Sequence, residues 1–266
     1  MGTPMDQVAA AIRTVAAAEI LPRFRNLGRG EVREKTGPDD LVTEADLAAE
    51  RALGPVLRDL LPGSVVIGEE AASADPALLD RMAGEAPVWL IDPVDGTINF
   101  AAGKPLFATV VGLVRHGRCV AGWIFDPVAD RMARVEAGSG AELDGKRLRV
   151  AAPAALSDMA GSLNVRFLPP PERARFDAAR GRLGRDARLL AASQEYIELA
   201  LGRTHFAYYA RILPWDHAAG QLLHGEAGGY SAKLDGSPYR PTDRAGGLLL
   251  APDAASWRSI KELLAG

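Results

Sequence analysis

The sequence predicts a mixed α/β fold, with an antiparallel-rich part over residues 1–150 and an α/β part over residues 151–266 packed as one domain. Three observations carry this expectation. Apolar residues recur at helical spacing near the N-terminus, three apolar runs between 106 and 136 are joined by turn-forming residues, and short strands alternate with helices after Ala151. The chain has 266 residues, a size at which roughly three quarters of the unfolded surface can be buried. Apolar residues make up 48% and charged residues 24%, which excludes a disordered chain, a collagen-like repeat and a long coiled coil.

Taken in order, Val8, Ile12 and Val15 are spaced four and three apart, so residues 5–21 form an amphipathic helix that Pro22 ends. A second helix starts near Thr43. Its apolar positions Leu47, Leu53, Val56, Leu57 and Leu60 keep a helical period until Pro62 and Gly63. A strand from Val65 to Gly68 then delivers Glu69 and Glu70, and a strand from Val88 to Ile91 runs into Asp92, Pro93, Val94, Asp95, Gly96 and Thr97. Three strands follow, Leu106–Arg115, Cys119–Phe125 and Arg131–Glu136, the first two joined by a turn at His116 and Gly117, and Asp144-Gly145 marks another hairpin. Beyond Ala151 strands are expected near Gly161–Val165, Phe206–Tyr209 and Leu248–Ala251, with helices near 172–183, 194–201, 216–227 and 254–264. No Gly/Ser linker or internal repeat interrupts the chain.

Thirty-one Lys and Arg stand against 34 Asp and Glu, a net charge of −3, so no global field favours nucleic acid or anionic lipid. No apolar stretch approaches the roughly 18 residues of a membrane span, and a cytoplasmic protein is the expectation. Cys119 is the only cysteine. It cannot form an internal disulfide, and its apolar setting reads as a buried structural thiol rather than a nucleophile.

Several motifs fail on inspection. Gly140, Gly145 and Lys146 match the start of a phosphate-binding P-loop, but Arg147 stands where a Ser or Thr must hold magnesium. Leu143 occupies the third glycine position of a dinucleotide fingerprint begun by Gly138 and Gly140, and no G-x-S-x-G elbow exists. Six arginines between Arg173 and Arg188 are interleaved with Glu172, Asp177 and Asp186, which reads as a solvated helix face. His217 and His224 share a helix face without a third ligand in reach, so neither is assigned to metal.

What remains is a set of acids placed where secondary structure turns: Asp46, Glu69, Asp92, Asp95 and Asp216. Singly each has a structural explanation, a capping box for Thr43/Asp46, turn formation for Asp92 and Asp95, an N-cap for Asp216. The pair Asp92/Asp95 resists this, because two carboxylates at the end of an apolar strand repel unless a cation lies between them. A cluster of hard oxygens without Cys or His selects Mg²⁺ over Zn²⁺. Gly96 and Thr97 follow at once, offering backbone N–H groups to a phosphate and a hydroxyl beside it.

The run Trp89-Leu-Ile-Asp92-Pro-Val-Asp95-Gly96-Thr97-Ile-Asn-Phe100 closely resembles the first signature of the inositol monophosphatase family, part of a superfamily that also includes fructose-1,6-bisphosphatase. Trp215-Asp216-His-Ala-Ala-Gly220 followed by Gly225-Glu-Ala-Gly-Gly229 resembles the second. Asp40-Leu-Val-Thr43-Glu-Ala-Asp46 and Gly68-Glu69-Glu70 match two further blocks in the same order, so the resemblance spans nearly the whole chain.

The resemblance implies a layered αβαβα sandwich with the site between an antiparallel sheet and a smaller mixed sheet. It implies that Glu69, Asp92 and the Val94 carbonyl hold one Mg²⁺ and that Asp92, Asp95 and Asp216 hold a second, with a third ion near Glu69 in some members. Gly96 and Thr97 would bind phosphate, and Thr97 and Asp46 would orient and deprotonate an activated water, with Glu69 counted among the catalytic groups. Lys35 matches a family lysine beside the site. A homodimer is implied as well.

The implied activity is Mg²⁺-dependent hydrolysis of a small phosphomonoester, with inositol 1-phosphate as the default. Histidinol phosphate, fructose 1,6-bisphosphate and 3′-phosphoadenosine 5′-phosphate are alternatives, as is a non-catalytic interaction protein on the same fold. Many inositol-cleaving members carry a Glu after the aromatic pair, where this chain reads Tyr208-Tyr209-Ala210-Arg211. The hydroxyl-binding acid is therefore missing. Glu195 is a substitute hydroxyl contact, and Arg211 offers the extra cation a bisphosphate would need. His217 also replaces the usual aliphatic residue of the second signature.

Overall fold

The computed structural model describes residues 3–28, 30–37 and 40–265, and every candidate site residue is among them. Helix α1 (Met5–Val15) buries Val8, Ile12 and Val15 as the spacing requires. Its continuation to Ile20 is not α-helical: residues 16–20 widen into a π-helical turn, closed by the bond from the Leu21 N–H to the Ala16 carbonyl at 2.9 Å. The wider turn still buries Ala16 and Ile20 ahead of Pro22. A small hairpin of β1 (Val32–Gly37) and β2 (Asp40–Thr43) comes next. It was not expected, because neither strand shows a clean alternation of apolar and polar residues. Helix α2 (Glu44–Leu60) follows, opened by the Thr43/Asp46 capping box.

The large sheet begins at β3 (Val65–Gly68), which the short helix α3 (Glu69–Ala74) follows directly. It continues through β4 (Val88–Asp95), whose eight residues are all buried. After the short helix α4 (Thr97–Ala101) come β5 (Ala108–Arg115), β6 (Arg118–Asp126), β7 (Arg131–Glu136), β8 (Gly140–Leu143) and β9 (Lys146–Arg147). The order is β3-β4-β5-β6-β7-β8-β9, antiparallel except for the β3/β4 pair. Two-residue turns join β5 to β6 at His116-Gly117 and β8 to β9 at Asp144-Gly145, all four residues at positive φ.

The second half supplies β10 (Gly161–Asn164), α5 (Pro170–Arg180), α6 (Ala192–Ala200), β11 (Phe206–Tyr209), α7 (Pro214–Glu226), β12 (Tyr230–Lys233), β13 (Leu248–Ala251) and α8 (Ala254–Ala265). The small sheet has the order β10-β11-β13-β12, with β10 and β11 parallel and the rest antiparallel. Helix α7 starts two residues before the expected position, because Pro214 is well suited to a first turn that has no N–H partner to lose. Strand β12, unforeseen, is short and begins with the exposed Tyr230.

The elements stack in five layers. Helices α1 and α2 pack on one face of the large sheet through Ile12, Leu53, Leu57, Trp89 and Trp123. On its other face α6 and α7 lie between the two sheets, with Val110, Ile124, Ile197, Leu223, Leu248 and Leu250 in that layer. The far face of the small sheet is covered by α5 and α8 through Leu163, Phe176, Tyr208, Leu249 and Trp257. Leu248 and Leu250 thus face one layer and Leu249 the other, the two-residue period of a strand. This is the αβαβα sandwich the motifs implied. Among the described residues no helix is long and apolar enough to cross a membrane.

Cys119 sits on β6 and is partly rather than fully shielded. Its thiol donates to the Ala121 carbonyl at 3.3 Å, and burial pushes its pKa up to about 12, so it stays an inert thiol. His217 and His224 are buried in α7. Burial lowers them to about 3 and about 4, so both are neutral and neither joins the acidic cluster.

Candidate metal and phosphate site

In a regular strand, residues three apart point to opposite faces. Asp92 and Asp95 nevertheless line one cleft, because β4 carries a bulge between them: Asp92 pairs with Val110 and Asp95 with Ala108, leaving Pro93 and Val94 opposite the single residue Thr109. Proline tolerates this position because a bulge frees it from donating to the ladder. The displaced Pro93 carbonyl is satisfied by the Thr109 hydroxyl at 2.8 Å, and the Val94 N–H by Asp92 Oδ1 at 3.0 Å. Gly96 then turns the chain into α4 at φ +94°, where a Cβ would lie 2.8 Å from both the Ala191 methyl and the Leu106 carbonyl oxygen. Only glycine satisfies both the handedness and the space.

Three elements converge on this corner. Glu69 comes from the start of α3, Asp92 from β4 and Asp216 from the first turn of α7, and one carboxylate oxygen of each lies within 4.8 Å of the others. Thr97 donates its hydroxyl to the Val94 carbonyl at 3.0 Å. That carbonyl keeps a second lone pair. Asp95 lines the same cleft, and its Oδ2 accepts from both the backbone N–H of Ser193, at 2.6 Å, and the Ser193 hydroxyl. The cleft has a volume of about 140 Å³ and is also lined by Gly96, Thr97, Arg166, Phe167, Leu190 and Arg211.

Asp46 is fully buried, and it is not among the residues lining the cleft. Its Oδ2 accepts from the Thr43 N–H at 2.8 Å and from the Thr43 hydroxyl, while Oδ1 has no partner. The capping box is therefore real and leaves one oxygen over. Lys35 bridges Glu69 at 2.8 Å and Glu70 at 2.6 Å, so in this arrangement its ammonium is engaged by acids at the cleft edge. Glu50 accepts the N–H groups of Glu70 and Ala71 at 2.8 and 2.9 Å, capping α3 and fixing where Glu69 begins.

Burial, then mutual repulsion, sets the electrostatics. Asp92 is pushed well above the usual carboxylate range by burial and by Glu69, Asp95 and Asp216, and Asp216 is raised by burial, Glu69 and Asp95. Burial lifts Asp95 to about 6 against the pull of its Ser193 hydrogen bonds, and lifts Asp46 to about 7. Glu70 rises to about 8 from burial and the Glu69 charge. Although burial opposes it, Lys35 is held protonated above its ordinary value by Glu69 and Glu70. Acids crowded this way are costly alone and become favourable around a hard cation. The donor set is all oxygen, which fits Mg²⁺.

A second chamber of about 150 Å³ adjoins the first and shares Asp95, Phe167, Leu190, Arg211 and Asp216 with it. Glu195 lines this chamber, but its carboxylate is already engaged by the Ser162 hydroxyl at 2.7 Å, the Asn164 amide at 2.8 Å and the Leu189 N–H at 2.9 Å. Arg211 lies in both chambers, its guanidinium 4.0 Å from the Phe167 ring centroid.

The sequence reading did not single out Ser193, Asn99, Phe167 or Leu190. Asn99 donates to the carbonyls of Leu106 and Leu189, at 2.8 and 2.9 Å, tying the loops before β5 and α6 together beside the cleft. Leu190 has φ +59°, a rare conformation for a non-glycine residue, and no local sequence signal announces it. Ser193, in the first turn of α6, is joined to Asp95 only by the fold, 98 residues along the chain.

Comparison with known proteins gives the family and the fold. A curated inositol-1-monophosphatase of Rhizobium meliloti is 33% identical over 236 residues, covering 85% of this chain and 86% of its own length. A fructose-1,6-bisphosphatase/inositol-1-monophosphatase of Thermotoga maritima is 35% identical over 211 residues, covering 77% of this chain and 76% of its own. The solved structure of a Thermotoga maritima IMPase superposes with a TM-score of 0.80 at 26% identity, covering 98% of this chain and 97% of that one. An extragenic suppressor protein, suhB, from Bartonella henselae superposes with a TM-score of 0.79 at 27% identity, covering 96% and 94%. The inositol monophosphatase family model matches residues 2–266, and the chain belongs to that family.

Proposed function

We propose that this chain is a Mg²⁺-dependent phosphatase of small phosphomonoesters, acting as one domain over residues 1–266. The observation that carries the reading is the convergence of Glu69, Asp92 and Asp216 beside the Gly96-Thr97 turn. These carboxylates, with Asp95 and the Val94 carbonyl, would hold two Mg²⁺ ions, with a third near Glu69 as an extension of the same set. When bound, Mg²⁺ supplies the positive charge that activates a water and neutralises the transferring phosphoryl group.

The residues of the chain do the rest. The N–H groups of Gly96 and Thr97 donate to the phosphate oxygens. Thr97, whose proton is committed to Val94, presents hydroxyl lone pairs to the attacking water and so orients it. We keep Asp46 as the proton acceptor of this reading, at Oδ1, the oxygen its capping role leaves over; it does not line the cleft, so the proton reaches it through an intervening water. Lys35 sets the position of Glu69. We also keep the homodimer in this reading, to be checked by analytical ultracentrifugation.

The experiment is phosphate release with and without Mg²⁺ from inositol 1-phosphate, histidinol phosphate, fructose 1,6-bisphosphate and 3′-phosphoadenosine 5′-phosphate, with Asp92→Asn as control. Inositol 1-phosphate is the reference substrate, since it corresponds to the activity named in the relatives. Turnover that disappears in the variant supports the reading. No turnover of any compound, with Mg²⁺ still raising the melting temperature, would move the weight to a metal-stabilised binding protein.

A further inference from the structure

We propose that the substrate carries a second anionic group, a carboxylate or another phosphate, on its leaving-group side, and that Arg211 receives it. The inference rests on the phosphatase reading above and narrows its substrate class. With the cleaved phosphate at the Gly96-Thr97 turn, the leaving group extends into the second chamber, which shares Arg211 and Phe167 with the first.

The furnishing of that chamber suits an anion better than a polyol. A ring of hydroxyls needs acceptors; of the acids on this chamber, Asp95 and Asp216 belong to the metal set, and Glu195 is already engaged by Ser162, Asn164 and Leu189. Ala191, Ala192 and Ala210 line the chamber with methyl groups. Phe167 and Leu190 on the shared wall are large apolar residues, each 48% exposed. Arg211 is the cation that lines this chamber, while Arg166, on the side of the first cleft, lies 5.0 Å from the same Phe167 ring.

Arg211 is also held ready. It shares the cleft with Asp95 and Asp216, yet it makes no ion pair with a described residue and stacks instead on Phe167. Its charge favours ionised Asp216 from a distance, without a direct pair. Stacking fixes the plane of the fork while leaving its N–H groups to a ligand. The backbone beneath is pinned twice: the Ala210 N–H donates to the Asn164 carbonyl at 3.1 Å, and His217 Nε2 lies 3.0 Å from the Arg211 carbonyl. A carbonyl only accepts, so His217 carries its proton on Nε2, and Nδ1 accepts from the Tyr196 hydroxyl at 3.1 Å. Tyr196 and His217 thus act as positioning residues for Arg211.

The test is calorimetric binding in Mg²⁺ of three phosphonates whose C–P bond the enzyme does not hydrolyse: methylphosphonate, 3-phosphonopropionate and propane-1,3-bisphosphonate. The wild-type protein should bind at least one doubly anionic probe about tenfold more tightly than methylphosphonate, as expected for one charge-assisted pair. Which of the two it prefers separates a carboxylate from a phosphate. Arg211→Met, which keeps an unbranched chain over Phe167, should bring the ratio to about one, and Arg211→Lys should keep part of it. Equal affinities in the wild type, or a preference that survives Arg211→Met, overturn the inference. Phosphate release from the same preparation separates the two readings. Turnover without the preference sinks the second anion alone, the preference without turnover sinks the phosphatase alone, and the absence of both sinks both.

Discussion

Ser193 places two hydrogen bonds, from its backbone N–H and its hydroxyl, on the single carboxylate oxygen Oδ2 of Asp95, across 98 residues of chain. One partner belongs to the middle helical layer and the other to the end of the large sheet, so the contact fixes the bulged corner of β4 against α6.

Replacing Ser193 by Ala removes the hydroxyl donor and leaves the N–H. Asp95 then loses part of what opposes its burial, and its pKa should climb above about 6. We expect the protein to lose about 1–2 kcal/mol of stability, the usual cost of a missing hydrogen bond to a buried charged group. Mg²⁺ affinity at neutral pH should fall with it. Calorimetric melting and a Mg²⁺ titration check the two effects, and an unchanged titration would mean that the Ser193 hydroxyl is not needed to orient Asp95 for metal.

Asp92→Asn should separate stability from function in opposite directions. Asp92 is buried and is raised by that burial and by Glu69, Asp95 and Asp216, so its charge burdens the metal-free fold. Removing it should stabilise the metal-free protein by about 1–2 kcal/mol near pH 8. The same change should abolish the Mg²⁺-induced rise in melting temperature and Mg²⁺-dependent phosphate release. A variant less stable without metal would show that Asp92 is held by contacts and not strained by repulsion.

How much of this was legible depends on distance along the chain. The hairpin turns at His116-Gly117 and Asp144-Gly145 could be read locally, because the sign of φ at a two-residue turn is written in the residues that occupy it. The helical stripe of α2 could be read for the same reason. The bulge could not: periodicity alone sends Asp92 and Asp95 to opposite faces, and only pairing with β5 reveals the extra residue. Asp216 lies far along the chain from Asp92, and only the family resemblance joined them. Lys35 was placed beside the site by the same route, whereas its ion pairs with Glu69 and Glu70 are a fact of three dimensions. Phe167 and Leu190 sit in irregular loops, where neither periodicity nor turn chemistry marks a wall of the cleft.

Gly220 tests whether the middle layer seats the site. Glycine-to-alanine in a helix interior ordinarily stabilises by about 1 kcal/mol. Here a Cβ would lie 2.1 Å from Cδ2 of Tyr196, a fully buried ring whose hydroxyl is hydrogen-bonded to His217. The sign should reverse, to a loss of about 2–3 kcal/mol as α6 and α7 are forced apart. These helices carry Ser193 and Asp216, so Mg²⁺ affinity should drop too. Adding Tyr196→Leu should restore part of the stability, and a double variant no better than Gly220→Ala would locate the clash elsewhere.

The pH dependence of stability should weaken when metal binds. Without metal, Asp46 has a folded pKa of about 7 against an ordinary 3.8, and Asp95 about 6, with Asp92 and Asp216 shifted in the same direction. Between those values the folded state holds more protons than the unfolded one, so stability falls as pH rises from about 4 towards 7. The histidines act oppositely. His217 and His224 have folded values of about 3 and about 4 against 6.5, so the unfolded state holds the extra protons and stability rises with pH up to about 6.5. In EDTA these carboxylates, together with Glu70 at about 8, outweigh the two histidines, and the melting temperature should decline between about pH 5 and 7. Saturating Mg²⁺ keeps the metal-facing Asp92, Asp95 and Asp216 ionised, which removes their share of the first trend; Asp46 and Glu70 keep theirs, against the histidines, each of which contributes up to about 1.4 kcal/mol per pH unit. The melting temperature should then decline less steeply over the same interval. Melting curves recorded in the two buffers decide it, since parallel pH profiles would show that Mg²⁺ does not bind through the acids that burial has raised.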